Sequence, residues 1–154
     1  MHHLYIQFFK VSSILGISAF YHDSAAALLK DGKIIAAAQE ERFTRKKHDA
    51  SYPYNAVEFV LKYSNLKLSE VDNIVFFEKP FLKFERLLET YVAFAPRGFI
   101  SFMRAMPIWL REKLFQKNYL FNKLKLHDPK LKSDNNIYFS DHHLSHASSA
   151  FFPS

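Results

Sequence analysis

Two histidines four residues apart, His142 and His146, carry the strongest chemical signal in the chain. On a helix, residues i and i+4 lie on one face, so both imidazoles can converge on one ion. Neutral imidazole suits Zn, Fe, Ni or Cu, but two ligands rarely hold a metal, and a third, typically a carboxylate, is required. His143 lies about 100° round the helix from His142, so it makes a different contact. The alternative is a pair of surface or hydrogen-bonded histidines, which a chain with 8 His can produce by chance. A second group is Tyr21-His22-Asp23-Ser24. His22 is a general acid or base available near neutral pH, and Asp23 could orient it. The backbone amides of the turn, with the Ser24 hydroxyl, could cradle a phosphate or acyl oxygen, or the segment is an ordinary polar turn. The third group runs from Glu40 to His48. Its Arg42, Arg45, Lys46 and Lys47 could hold an anionic substrate through charge-assisted hydrogen bonds, or form a solvated hairpin end.

The elements that must position these groups are written in period and punctuation. Residues 13–19 predict a short buried strand, and 20–24 the turn after it. Residues 25–29 and 33–39 flank Asp31-Gly32, a two-residue hairpin signal because Asp-Gly suits the positive φ of a type I′ turn. Residues 40–49 are expected as a charged loop. A helix is expected to start near Ser51 or Tyr52, with Pro53 in its first turn and Val57, Val60 and Leu61 inward. Residues 74–77 predict another short strand. Phe81, Phe84, Leu88, Tyr91 and Val92 then fall at helical steps, interrupted by Pro96-Arg97-Gly98. Phe99, Met103, Met106, Leu110 and Leu114 continue the spacing past Pro107, which is expected to kink or break the helix. Residues 123–136 read as a polar surface loop, and 137–139 as the next strand. The histidine helix follows, with Ser140 or Asp141 as its N-cap. A strand running into a helix N-terminus is where α/β folds place ligands.

Composition bounds the chemistry further. The absence of Cys excludes disulfides, thiolate metal sites and cysteine nucleophiles. Three Gly residues, Gly16, Gly32 and Gly98, are too few and too scattered for a G-x-G-x-x-G turn or a Walker-type phosphate loop. With 49% hydrophobic residues in 154, the chain can build a packed core of about one domain. The net charge of +6 is concentrated in residues 81–132, which carry eleven Lys or Arg against four Asp or Glu. That segment is either a basic binding surface or a solvated face with snorkelling lysine stems, and no nucleic-acid recognition motif accompanies it. The first dozen residues lack the basic start, apolar stretch and cleavage site of a secretory signal. Residues 98–110 are interrupted by Arg104 and Pro107 and fall short of a membrane span of about 20 residues. The expectation is a soluble, cytoplasmic protein with no membrane partner.

Three blocks resemble one family. They are Ile14-Leu15-Gly16-Ile17-Ser18-Ala19-Phe20-Tyr21-His22-Asp23-Ser24-Ala25-Ala26-Ala27, then Glu40-Glu41-Arg42-Phe43-Thr44-Arg45-Lys46-Lys47-His48-Asp49, then Asp141-His142-His143-Leu144-Ser145-His146-Ala147-Ser148-Ser149-Ala150-Phe151. In this order and at these intervals they resemble the opening and the histidine motif of the O-carbamoyltransferases of nodulation-factor and antibiotic tailoring. The resemblance implies an α/β fold: the first part of an actin-like ATPase (ASKHA) domain, whose first lobe has a mixed sheet and a hairpin opening. Residues 14–154 would form this N-terminal part and residues 1–13 an extension, with a C-terminal YrdC-like domain lying outside the chain.

The same resemblance implies the activity. Family members make carbamoyl-adenylate from carbamoyl phosphate and ATP, then transfer the carbamoyl group to a substrate hydroxyl, on a sugar or an antibiotic precursor. It maps a divalent metal, usually iron, onto His142 and His146, with the completing carboxylate supplied by chain beyond residue 154. It places His22 and Asp23 at the transfer site as the groups that handle the acceptor proton, while Arg42, Arg45 and Lys46 remain the substrate-binding candidates. The partners expected are the hydroxyl acceptor and the remaining lobes of the enzyme, without which the fragment is expected to be inactive. The nearest enzymatic alternative is the tRNA threonylcarbamoyl-transfer protein of the same superfamily, whose opening turn and histidine motif read differently; a nucleic-acid partner is accordingly not expected. A non-catalytic metal-binding fragment is the third reading.

Overall fold

A computed structural model describes residues 12–79, 88–131 and 136–151. Its first three strands are β1 (Ser13–Ser18), β2 (Ala25–Lys30) and β3 (Lys33–Gln39). Asp31 and Gly32 between β2 and β3 have φ of 51° and 75°, both in the left-handed region that a type I′ turn demands. A short helix α1 (Glu41–Thr44) and a longer α2 (Tyr54–Tyr63) follow, then a 3-10 turn (Leu68–Glu70) and β4 (Asn73–Phe76). Residues 88–94 are helical. They precede α3 (Phe99–Leu114), α4 (Gln116–Leu124), β5 (Ile137–Phe139) and α5 (His142–Phe151).

The strands form one mixed sheet in the order β3-β2-β1-β4-β5. β1 pairs antiparallel with β2, and β2 with β3. On its other side β1 pairs parallel with β4, and β4 parallel with β5, with Ile17, Phe76 and Phe139 in register. Three consequences follow from these directions. β1, β4 and β5 all end at the same edge of the sheet. β2, running opposite to β1, starts there, and β3, running opposite to β2, ends there. Every block of chemistry-bearing residues therefore leaves the sheet at one edge.

Alternation along the strands separates the two faces. Leu15, Ile17, Ala26, Leu28, Ile74, Phe76 and Ile137 are buried and share one core with Ala56, Val57, Val60 and Leu61 of α2 and Leu120 and Leu124 of α4. That cluster accounts for the inward face of α2 expected from spacing. The opposite face carries Gly16, Ser18, Ala25, Ala27 and Val75, all only half-covered. It forms the floor of a cleft of about 870 Å³, walled by Arg42, Phe43 and Phe59 on one side and Leu144, Ser145 and Ser148 of α5 on the other.

Several expectations are corrected. The charged segment 40–49 is not simply a solvated loop: it contains α1, and Glu40 and Asp49 are buried in it. Pro107 lies inside α3 without ending it, so of the expected kink or break the break does not occur; proline removes only one i→i−4 bond. At the helical spacing in the middle of the chain, Phe99 and Met103 are exposed, as are Val92, Phe94 and Ile100. α4 extends into the expected 123–136 loop as far as Leu124, which is buried. Phe81, Phe84, Phe152 and residues 1–11 lie outside the described residues.

Candidate functional site

The turn after β1 is held by the loop that follows α1. The Phe20 N–H donates to the Ala50 carbonyl and the Ser24 N–H to the Asp49 carbonyl, both at 2.8 Å, and the Ser24 hydroxyl donates to the Ser51 carbonyl. The Glu40 N–H returns to the Ser24 carbonyl at 2.8 Å. Asp49 ties the loop internally, accepting from the Ser51 N–H at 3.0 Å, the Ser51 hydroxyl at 2.6 Å and the Thr44 hydroxyl at 3.0 Å. These donors hold its carboxyl below the usual carboxylate range.

Within this frame His22 and Asp23 are brought together as the sequence suggested. His22 Nδ1 lies 2.9 Å from Asp23 Oδ2, and the Tyr21 ring packs against the imidazole at 4.6 Å. The second oxygen of Asp23 is also engaged: His48 Nδ1 lies 2.9 Å from Oδ1. Hydrogen bonds from His48 and then His22 lower the Asp23 pKa, so the carboxylate is ionised at neutral pH. The basic residues are more dispersed. Arg42 stands on the rim of the cleft, with Nη2 3.9 Å from Glu41 Oε1. Lys46 Nζ lies 3.8 Å from Asp49 Oδ1, and Arg45 caps α1 in a left-handed conformation with φ 59°.

The histidine helix starts where β5 ends. The Asp141 side chain caps it, accepting the His143 N–H at 3.0 Å, while the Ser145 N–H donates to the Asp141 carbonyl at 2.8 Å. The Ser145 hydroxyl lies 3.2 Å from the Phe77 carbonyl and 3.0 Å from the Ser140 hydroxyl, which fastens α5 to the end of β4. The rings of His142 and His146 stand 4.6 Å apart at 78°, and Phe77 packs against His142 at 5.5 Å. His143 meets His142 edge-on at 5.6 Å from a different side. Nδ1 of His142 is buried and has no hydrogen-bond partner in the described residues. A nitrogen held out of water with nothing to bond calls for a ligand or a further donor. The pair thus fits two positions of a metal. Among the described residues no cluster of three or more His, Cys, Asp or Glu could hold a metal ion.

The two groups lie at neighbouring points of one edge. β1 and β5 are two strand spacings apart, roughly 10 Å between the points where His22 and His142 leave the sheet. Aromatic rings line the interval: Phe20 on Phe76 at 6.0 Å, Phe76 on Phe77 at 5.1 Å, then Phe77 on His142. Two members escaped the sequence reading. His48 stands 25 residues from Asp23, and no local spacing marks the pair. Glu40, counted with the charged loop, is 2% exposed and serves α2 instead.

The domain is mixed α/β with one covered sheet face, one open face and two imidazole groups at the carboxyl edge of its parallel strands, the edge at which open α/β sheets bind ligands. The chain belongs to the carbamoyltransferase N-terminal family, whose family model matches residues 13–154. It is 60% identical over 145 residues to an uncharacterised protein of Synechocystis, covering 94% of this chain and 24% of that protein. It is 34% identical over 138 residues to the nodulation protein NolNO of Sinorhizobium fredii, covering 87% of this chain and 18% of NolNO. The chain thus spans a quarter or less of the length of these two relatives. Among the described residues no helix is long and apolar enough to cross a membrane.

Proposed function

We propose that this chain supplies the transfer site of a carbamoyltransferase that moves a carbamoyl group from carbamoyl-adenylate to the hydroxyl of a small molecule, a sugar or an antibiotic precursor. Carbamoyl phosphate and ATP are the source of the adenylate, which is made by a YrdC-like domain in chain outside these residues. The observation that carries the reading is convergence: the three sequence blocks, far apart in the chain, leave the sheet at one edge. The mixed sheet and hairpin opening support the finer assignment to the first lobe of an actin-like ATPase fold.

The chemistry asks for three things. The acceptor oxygen attacks the carbamoyl carbon, the bond from that carbon to the phosphate oxygen breaks, and AMP departs. The acceptor proton goes to His22 Nε2, because Asp23 occupies Nδ1 and leaves Nε2 as the base. Arg42, on the cleft rim, with Arg45 and Lys46 in the adjoining loop, provides positive charge for the anionic donor. His142 and His146 would hold a divalent metal, iron in this reading, whose role when bound is to offset phosphate charge.

The test uses the protein at the length of its relatives. His142→Ala should lose bound metal and carbamoyl transfer together. Transfer retained with the metal gone overturns the reading.

A further inference from the structure

Asp23 is bonded on both oxygens, and only one of those bonds belongs to the reading above. His22 Nδ1 meets Oδ2 and His48 Nδ1 meets Oδ1, each at 2.9 Å. A carboxylate only accepts, so each Nδ1 carries the hydrogen and, in the neutral rings, each Nε2 keeps its lone pair. With one oxygen free, the Asp23 carboxylate could rotate about its terminal torsion, which is broad. With both engaged its plane is fixed, and so is the direction from which His22 receives it.

The backbone is committed to this arrangement. Asp23 and His48 both sit in the left-handed region, at φ 45° and 54°, a conformation that side chains with a Cβ adopt uncommonly and that gathers at functional sites. The His48 N–H donates to Glu41 Oε2 at 3.3 Å, and the carbonyls of Asp49 and Ala50 beyond it are bonded to the turn that bears Asp23. Both imidazoles remain open to solvent, with side-chain exposures of 58% for His22 and 66% for His48. A pair joined to one carboxylate but left exposed is not there to fill a core.

We propose that His48 is a positioning residue for His22: by occupying Oδ1 of Asp23 it fixes the carboxylate, and through it the orientation and tautomer of the imidazole that receives the acceptor proton. This rests on the assignment of His22 above. Asp23 and the Tyr21 ring meet the His22 imidazole, and Asp23 meets the His48 imidazole while Glu41 accepts from the His48 backbone N–H. Removing His48 frees Oδ1, so the Asp23 carboxylate is no longer held in one plane against His22 Nδ1.

Nitrogen NMR on the labelled chain, following the tautomer of His22, tests the linkage without any turnover. His48→Phe keeps a ring and removes the donor; His48→Asn returns an amide N–H near the position of Nδ1. In His48→Phe the His22 tautomer should become mixed, because the Asp23 carboxylate is free to rotate away from Nδ1. In His48→Asn the Nδ1–H tautomer should be retained. A His22 tautomer unchanged in His48→Phe, or changed alike in both variants, overturns the proposal. The assignment of His22 fails separately: transfer undiminished in His22→Ala would sink that reading while leaving the NMR linkage intact.

Discussion

Glu40 caps a helix that begins fourteen residues later: its Oε2 accepts the Ala56 N–H at 2.8 Å, with the carboxylate buried between the end of β3 and the start of α2. Oε1 takes two more bonds, from the Asn55 N–H at 3.1 Å and the Asn55 side-chain amide at 2.7 Å. Pro53, at the N-cap position, offers no side-chain cap, so the first amides of α2 rely on this distant carboxylate. The same residue opens the loop that carries Arg42, Arg45 and His48. α2, the turn after β1 and the basic loop are thereby one mechanical unit.

Glu40→Ala should therefore lower stability by about 1–3 kcal/mol, since it leaves buried donors without acceptors. Thermal unfolding would read it as a clear fall in midpoint. An unchanged midpoint would mean that water or another group satisfies the helix start.

Acid should expose the carboxylates that the fold uses as acceptors. Asp23, Asp49 and Asp128 all have lowered pKa values; Asp128 accepts from the Ser69 N–H at 3.0 Å and the Lys130 N–H at 2.9 Å. A lowered folded pKa contributes stability that is full above the unfolded carboxylate value and lost as pH falls through the folded one. The double variant Asp49→Asn/Asp128→Asn should show a shallower loss of stability in acid than the unaltered chain. Equal slopes in urea titrations at several pH values would contradict this.

His127 works in the neutral range. It stacks on Tyr54 at 4.2 Å and lies beside the buried Tyr52, whose phenol is pushed up by burial. Burial lowers the His127 pKa, so the neutral ring is the folded form. Its contribution is full above the ordinary imidazole value and lost as pH falls through the lower folded one. The unfolding midpoint should drop between about pH 7 and pH 5, and less steeply in His127→Phe. A pH dependence identical in the two proteins would assign the effect to other groups.

At the histidine helix the three imidazoles should separate by position. His142→Ala and His146→Ala should each lose the divalent metal in elemental analysis of the protein at the length of its relatives, and His143→Ala should keep it. Loss in all three, or in none, would break the pairing of His142 with His146.

The exposed apolar face of the chain should make it self-associate. Phe94, Phe99, Ile100 and Met103 are exposed, and Phe151 on the last described turn is 75% exposed. Sedimentation should give an apparent mass that rises with concentration, reduced in Ile100→Lys/Met103→Lys. A monodisperse monomer at every concentration would be the contrary result.

Much of this molecule is local and was legible in residues a few places apart. Asp31-Gly32 prescribes its hairpin because both positions need positive φ. Asp141 caps α5, and four-residue spacing puts His142 and His146 on one side of it. Asp23 reaches His22 because they are neighbours. Local rules also have a limit: periodicity states which residues share a face and not what covers it, and Phe99 and Met103 keep helical spacing yet are exposed.

Tertiary structure decided the rest, through contacts whose partners are distant in sequence. His48 meets Asp23, and Glu40 meets Ala56, only because β3 returns antiparallel to the edge where β1 ends and the loop after α1 folds back on the turn. The meeting of all three blocks at one edge depends on β4 and β5 pairing parallel to β1, a matter of strand direction that no residue type encodes. Spacing along the chain named the acids, bases and ligands; the order and direction of five strands determined which of them stand together.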